Sequence, residues 1–421
     1  MTDTSPDEHF ITEALELARR GIALCSPNPC VGAVVVAADG TVVGRGFHTY
    51  AGVKHAEVIA LEEAGERARG ATLYVNLEPC FHAGRTPPCV DAILTAGVRR
   101  VVVGMIDPNP QVHGKSLAKL ETAGVEVTTG VMHDAARKLN EAFAQHVRRR
   151  TPLVTLKAGM TLDGKIAPPP AESMGDVALI PLRKPKTPQA PSRSSATGGW
   201  ITSAEARAHV HQLRHASDAI MVGVGTVVAD DPLLTDRSGE ARRRPLLRVI
   251  LDSRLRLPLE SRIVTTASDD VLVFCSFAEE KKRRALESRG VRVEQVALGS
   301  KDGRPDLAEV VKRLGADDIC SLLIEGGAMV NWASLAAGIV DKVFFYYAPK
   351  ILAGTGSVPF AAGAGFRKIS EAAQVKSISI HRFGEDFAVE GYLRDPYDDN
   401  PLPRAQKTLD DEPEPPPLEI A

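Results

Sequence analysis

The sequence predicts two consecutive α/β domains, on three observations. Strand-like apolar runs alternate with amphipathic helical stretches along most of the chain, the pattern of a sheet covered on both faces. That alternation halts at a basic helix ending in Arg148-Arg149-Arg150, meets Thr151-Pro152, and restarts at Leu153 with no visible repeat of the first round. The chain has 421 residues, 44% of them hydrophobic and 25% charged, which is length and composition enough for two cored domains. The expected division is a first domain over 1–150, built as an α/β/α sandwich, and a second α/β domain over 151–395.

Residues 10–22 (FITEALELARRGI) carry the apolar spacing of a helix. CVGAVVVAADGTVVGRGFH reads as two strands about Asp39-Gly40, a strong hairpin turn. HAEVIALEEAGERA (helix), ATLYVNL (strand), CVDAILTAG (helix), VRRVVVGMID (strand) and one more helix–strand pair ending near Val131 complete the first round. In the second, LVTLKAGMTLDGKIA is a strand and turn, ITSAEARAHVHQLRHAS a helix and DAIMVGVGT a strand. PLLRVILDS and DVLVFCS are further strands, followed by a charged helix (EEKKRRALESRG). ICSLLIEGG (strand), GAMVNWASLAAGI (helix) and VDKVFFYYAPKIL (strand) close the round. Residues 168–199, rich in Pro, Ser, Lys and Arg, read as a flexible insertion, counted as 174–199 in the domain plan. The tail from about Asp395, counted as 396–421, with its DDEPEPPP run, reads as disordered.

A net charge of −2 offers no electrostatic footprint for nucleic acid or an anionic membrane. No run of 18 apolar residues occurs and MTDTSPDEHF lacks the features of a signal peptide, so a cytoplasmic protein is expected. Six cysteines are too sparse for a disulfide framework. Cys25, Cys30, Cys275 and Cys320 read as ordinary small hydrophobes.

The stretch HAEVIALEEAGERARGATLYVNLEPCFHAGRTPPC is different. A catalytic zinc takes three protein ligands and keeps a position open for water. His55, Cys80 and Cys89 supply that number, each at or just before a predicted helix. A cysteine at a helix N-terminus faces the positive dipole end, which favours the thiolate. Glu57, two residues beyond His55, is free to carry protons. A lone His or Cys is usually structural, but H-A-E followed by E-P-C and P-P-C approaches the zinc-deaminase pattern. It departs from that pattern in having eight residues between the cysteines. His48 and His82 are left out of the ligand set because the metal needs an open position. Were either to close it, the zinc would be structural.

In the second domain two glycine turns follow strands: Gly223, Gly225 and Thr226, and Glu325-Gly326-Gly327-Ala328. Backbone amides at such turns suit a nucleotide's phosphates, though neither is a G-x-G-x-x-G and tight helix–strand packing explains most such pairs. Arg214 and Arg237 have the forked geometry that grips phosphate. Lys157 and Asp163 are polar groups near this predicted site, with Lys157 placed to polarise a group being reduced. No single essential acid is assigned.

GFHTYAGVKHAE, NLEPCFHAGRTPPC, MIDPNPQVHGKSL and SPNPCVGAVV resemble the deaminase half of the bifunctional riboflavin-biosynthesis pyrimidine deaminase–reductase. In that family the longer cysteine spacing is normal; Phe81 stands where it usually has a small polar residue. LKAGMTLDGKIA, the W-I-T segment through DDPLLTDR, VILDS, LIEGG and YYAPKILAG resemble its reductase half, in order. Together the two cover nearly residues 10–395. The resemblance implies a cytidine-deaminase-like sandwich followed by a dihydrofolate-reductase-like domain. It assigns one zinc ion to His55, Cys80 and Cys89, the proton shuttle to Glu57, and a pyrimidine contact to Asn28. It places NADPH on Gly159, Trp200, Thr226, Asp230, Ser253 and the run Gly327, Ala328, Met329, Val330, Asn331, Trp332, Ala333. Substrate contacts fall on Arg214, Leu234, Arg237 and Glu325. A further family serine lies two residues before W-I-T, where this chain has Gly198; Ser173 fits it by spacing from Asp163-Gly164, with the insertion looping out between.

The implied activity is hydrolytic removal of the 2-amino group from a diaminopyrimidine ribosyl phosphate, then reduction of ribosyl to ribityl by NADPH. The expected partner is that small molecule, with no nucleic acid and no membrane, and a homo-oligomer is compatible with the sequence. Two alternatives stand beside it. The first domain acts on cytosine or adenine in another setting, or the second is a degenerate nucleotide-binding module without reductase activity.

Overall fold

Strand residues that alternate between two apolar faces set up both halves of the fold. The computed structural model describes residues 5–81, 86–169, 199–299 and 303–398. Helix α1 (Pro6–Arg19) begins four residues ahead of its apolar stripe, because Ser5 and Glu8 form a reciprocal capping box. The hairpin β1 (Gly32–Val36) and β2 (Val42–Phe47) turns at Asp39-Gly40, as the turn chemistry predicts. Then come α2 (Ala56–Ala64), β3 (Thr72–Leu77), α3 (Cys89–Ala96), β4 (Arg100–Met105), α4 (Lys115–Thr122) and β5 (Glu126–Thr129). Two short helices, α5 (His133–Leu139) and α6 (Glu141–Arg149), close the half. The sheet order is β2-β1-β3-β4-β5, with β3, β4 and β5 parallel. Helices α1 and α5 cover one face and α2 and α3 the other, an α/β/α sandwich.

The second half starts with β6 (Leu153–Thr161), β7 (Lys165–Ala167), α7 (Ala204–Ala216) and β8 (Ala219–Gly223). The strand expected over 218–226 stops at Gly223, the N-cap of α8 (Val224–Asp230), because β-branched Val224 and Val227 pack as helix residues beside the sheet. β9 (Leu247–Leu251), α9 (Arg262–Thr265), β10 (Val271–Cys275), α10 (Glu280–Glu287), β11 (Val291–Gln295) and α11 (Leu307–Ala316) follow. β12 (Ser321–Ile324), α12 (Ala328–Ala336), β13 (Lys342–Ala348), β14 (Val358–Pro359), β15 (Lys376–Phe383) and β16 (Asp386–Tyr392) complete it. The nine-stranded order is β11-β10-β9-β8-β12-β6-β13-β16-β15. All pairs are parallel except those of β16 with β13 and with β15.

Burial on both faces explains the continuous apolar runs. Ala219 and Met221 of β8, with Leu272 and Phe274 of β10, enter the core under α11 and α12. Their neighbours Ile220, Val222, Val271 and Val273 enter the opposite core, under α8 and α10. Strand β12 returns between β8 and β6, which makes the C-terminal ends of these three strands a switch point where ligands bind in open α/β sheets.

Of the tail expected to be disordered from residue 396, residues 396–398 are ordered and the rest lies outside the described residues. Residues 395–398 pack on the first half: the Tyr397 hydroxyl donates to the Arg137 carbonyl at 2.7 Å, and the Arg137 guanidinium lies 4.1 Å from the Tyr397 ring centroid. An aromatic body with a satisfied hydroxyl gains from burial whatever the composition around it. Among the described residues no helix is long and apolar enough to cross a membrane.

Candidate functional site

Two helix N-termini and one strand end bring the three soft ligands of the first half together. His55 is the N-cap of α2, Cys89 opens α3, and Cys80 follows β3 by three residues. His55 Nδ1 lies 3.1 Å from Cys89 Sγ and 3.4 Å from Cys80 Sγ, and the Cys89 amide donates to Cys80 Sγ at 3.3 Å. All three ligand atoms fall within 4.8 Å of one another. Tetrahedral zinc, with bonds of ~2.0 to 2.3 Å, needs ligand atoms ~3.5 Å apart, so the donor set fits that ion. The Cys89 thiol shares its proton with Cys80, and this bond, joined by His55, pulls Cys80 down to about 4. The same sharing pushes Cys89 up.

Glu57 stands on the first turn of α2, 3% exposed, and in hydrogen-bonding reach of Cys89. Burial, then the neighbouring Cys80, pushes its carboxyl above the ordinary value. A carboxyl so placed keeps its proton to higher pH than an exposed one, which suits a group that takes up a proton and gives it up again. His48 is not a fourth ligand. Its ring meets His55 edge-on at 5.3 Å, its Nδ1 donates to the Lys54 carbonyl at 2.9 Å, and its Nε2 accepts from the Asn28 amide at 2.9 Å. His82 lies outside the described residues.

One residue of the E-P-C motif had been given no role. Buried Glu78 accepts from the amides of Asp107 at 3.0 Å, Gly114 at 2.9 Å and Ser116 at 3.2 Å, and from the Ser116 hydroxyl. It thereby ties the loop after β4 to the strand end that carries Cys80. The only sequence signal was an acidic residue two positions before a proposed ligand, just past an apolar strand.

In the second half, Glu325 follows β12 directly and is largely enclosed. Arg214 of α7 donates Nε at 2.7 Å and Nη2 at 3.0 Å to it, and Lys157 of β6 adds a bond at 3.4 Å. The Arg214 fork, expected to grip phosphate, is turned on this carboxylate, and its remaining nitrogen donates to the Thr235 carbonyl at 3.2 Å. Burial would raise Glu325, but Lys157 and Arg214 outweigh it and hold the carboxyl at about 2.

Beside this triad, Gly327 is the N-cap of α12, and no side chain caps that helix. A Cβ on Gly327 would stand 3.6 Å from the Thr226 hydroxyl, so α8 and the start of α12 converge. At Gly326 a Cβ would meet Asn331 and Val330 at 2.8 Å, which only glycine avoids. Uncapped amides beside a hydroxyl suit a dinucleotide's phosphates, so the residues present fit NADPH. Gly159 sits on β6 under Thr202, Asp230 ends α8 with its carboxyl raised by burial, and Ser253 follows β9. Ala328 is buried and Met329 exposed on α12; Trp332 packs edge-on to Phe366 with its ring centroid 5.3 Å away. Asn331 donates to the Phe360 carbonyl at 2.8 Å, and Ala333 joins the core. Leu234 is buried in a left-handed conformation at φ 53°. Arg237 is exposed, and Trp200 is 74% exposed with Arg207 stacked on it. Ser173 lies outside the described residues.

Comparison with known proteins agrees with this division. A family model described as the cytidine and deoxycytidylate deaminase zinc-binding region matches residues 4–105, and one described as the RibD C-terminal domain matches 191–389. The chain is 39% identical to the riboflavin biosynthesis protein RibD of Aquifex aeolicus, over 91% of this chain and 97% of that protein. It is 38% identical to RibD of Escherichia coli K12, over 90% and 97%. The solved structure of Acinetobacter baumannii RibD superposes with a TM-score of 0.75 at 35% identity, covering 92% of this chain and 98% of that one. A Thermotoga maritima diaminohydroxyphosphoribosylaminopyrimidine deaminase/5-amino-6-(5-phosphoribosylamino)uracil reductase gives 0.72 at 34%, covering 92% and 98%. Fold and site thus define a zinc-binding, cytidine-deaminase-like domain joined to a nucleotide-dependent reductase domain. The chain belongs to the RibD family of riboflavin-biosynthesis proteins, and it carries both the deaminase and the reductase half.

Proposed function

We propose that the first half, residues 1–150, removes the 2-amino group of 2,5-diamino-6-(5-phosphoribosylamino)pyrimidin-4-one as ammonia. The second half, 151–395, then reduces the ribosyl chain of the deaminated product to ribityl with NADPH, in the cytoplasm. The observation that carries this reading is the convergence of His55, Cys80 and Cys89 beside buried Glu57. Zinc held by these ligands supplies a Lewis acid that makes water a nucleophile near neutral pH. Glu57 takes up the proton of the attacking water and returns it to the departing amine, a task that suits a carboxyl raised by burial. Asn28, fixed by His48, orients the pyrimidine.

In the second half the bound nucleotide supplies hydride. The uncapped start of α12, Thr226, Asp230 and Ser253 bind it, while Gly159, Trp200 and the residues from Ala328 to Ala333 shape its bed. Glu325, Arg214, Leu234, Arg237 and Ser173 are the residues assigned to substrate, and Lys157 polarises the group that is reduced. With both halves present and the triad closed around Glu325, a merely degenerate module is the weaker reading. The test is to supply the diaminopyrimidine with and without NADPH, then to repeat with Glu57→Ala. That variant is expected to keep its zinc, lose ammonia release, and still oxidise NADPH on substrate deaminated beforehand. Ammonia release at the wild-type rate refutes the role of Glu57.

A further inference from the structure

The turn between α1 and β1 carries two cysteines that the chemistry above does not use. Cys25 Sγ and Cys30 Sγ lie 3.2 Å apart with no bond between them. Both stems of the turn are held. On one side the Cys25 amide donates to the Gly21 carbonyl at 2.9 Å, and the Asn28 amide folds back onto the Cys25 carbonyl at 2.9 Å. On the other, the Cys30 amide donates to Asn140 Oδ1 at 2.8 Å, and its carbonyl takes the side-chain amides of Asn76 at 3.0 Å and Asn140 at 3.1 Å. The fold therefore sets the sulfurs against each other.

Accessibility differs between the two. Both line a cavity of about 240 Å³ between the two halves, but Cys25 is 4% exposed whereas Cys30 is half-buried. The tip of the turn holds Asn28, whose amide rests on His48, the ring that meets zinc ligand His55. Ser26 at the same tip donates to Asp218 of the second half at 2.9 Å.

We propose that Cys25 and Cys30 form an oxidative modification site: hydrogen peroxide converts them to a disulfide, and closure disables the deaminase half while sparing the reductase. The second clause rests on the deaminase reading given above. The half-buried Cys30 sulfur attacks one peroxide oxygen as the O–O bond breaks, giving a sulfenic acid and one water. The Cys25 sulfur then attacks the Cys30 sulfur, the S–O bond breaks, and the hydroxyl leaves with the Cys25 proton as a second water. Two thiols lose two electrons and two protons, and the peroxide gains them. The hydrogen bond to Cys30, and then burial, push the Cys25 thiol well up, which disfavours Cys25 as the sulfur that attacks peroxide first. A disulfide needs its sulfurs ~2.0 Å apart, so the pair must close by about 1 Å. With both stems fixed, the four-residue tip takes up that movement, and Asn28 leaves its place on His48. Thiols in a reducing compartment reverse the step.

The experiment uses the full-length, zinc-loaded protein. It is treated with hydrogen peroxide, its remaining thiols are blocked with N-ethylmaleimide, and the digest is read by mass spectrometry. Cys25 and Cys30 are expected to escape the label in one peptide lighter by two hydrogens, with zinc content unchanged. Ammonia release is expected to fall by roughly tenfold to a hundredfold, the scale of an ångström-sized misplacement. Dithiothreitol restores it, reduction of pre-deaminated substrate stays constant, and Cys30→Ser treated identically keeps its ammonia release. Full labelling of both cysteines after peroxide overturns the proposal, as does a link from either to Cys320, whose sulfur lies 3.8 Å from the Pro27 carbonyl oxygen. A disulfide that leaves ammonia release intact removes the control role. Untreated protein that releases no ammonia refutes the deaminase reading and the control role with it, while the peptide mass still decides the disulfide.

Discussion

Glu325→Gln tests whether a buried charge triad holds the reductase site in shape. The side chains of Glu325, Arg214 and Lys157 are 11%, 14% and 16% exposed, so solvent screens their attraction little. Glu325 is held at about 2 in the folded protein against an ordinary 4.5. A folded value below the unfolded one means that the ionised carboxylate stabilises the fold above pH 4.5, and that this contribution is lost as pH falls toward 2. From 4.5 to 2, at ~1.4 kcal/mol per pH unit, the contribution comes to about 3 kcal/mol. Removing one partner of a buried ion pair costs about 3 to 5 kcal/mol, the same scale. The substitution leaves Arg214 and Lys157 facing a neutral amide. The two tryptophans of the chain, Trp200 and Trp332, both belong to the second half, so their fluorescence during urea unfolding reports that half alone. The variant is expected to lose about 3 kcal/mol at pH 7, and the gap to shrink to about 1 kcal/mol near pH 3. Ammonia release by the first half should persist. A gap below about 1 kcal/mol at pH 7, or one unchanged between pH 7 and pH 3, refutes the reasoning.

Three further outcomes are expected. Cys89→Ser should lose both zinc and ammonia release, by metal analysis and assay, while the tryptophan-monitored transition of the second half stays where it was. In Gly363→Ala the new methyl would stand 1.8 Å from the Trp332 ring, so about 1 to 3 kcal/mol of stability should be lost with a changed tryptophan emission. Glu390 receives Lys138 of the first half and Lys342 of its own; burial would raise its carboxyl, but the two lysines hold it at about 2. Because that value too is depressed, the link is present above pH 4.5 and fades as pH falls toward 2. Glu390→Gln should therefore speed proteolytic cleavage near residue 150 at neutral pH, and the same rate in both proteins would refute a docking role.

Much of the first site was legible because its parts are close in the chain. His55, Glu57, Cys80 and Cys89 span 35 residues, and each belongs to a helix start or strand end whose position follows from apolar period and caps. The turn at Asp39-Gly40 was equally plain, since few residues other than glycine adopt its φ of 83°. Boundaries moved where a cap or a packed side chain outweighed the pattern, as Ser5 did at α1 and Tyr397 in the tail. Strand β15, an exposed edge, was not read from the sequence; its short alternation of Ser377, Ile378, Ser379 and Ile380 points its isoleucines to the surface rather than to a core.

What the sequence by itself determined is the content of single elements: which runs become strands, where helices start, and which soft ligands are on offer. Only the tertiary structure decided that β12 returns between β8 and β6. It also turned the Arg214 fork on Glu325, 111 residues away, and set Cys25 against Cys30 although both read as plain hydrophobes. The physical reason is range. Propensity, caps and apolar period act within a few residues, whereas neighbours across a sheet are chosen by burying two distant apolar surfaces together and by finding each enclosed charge its partner.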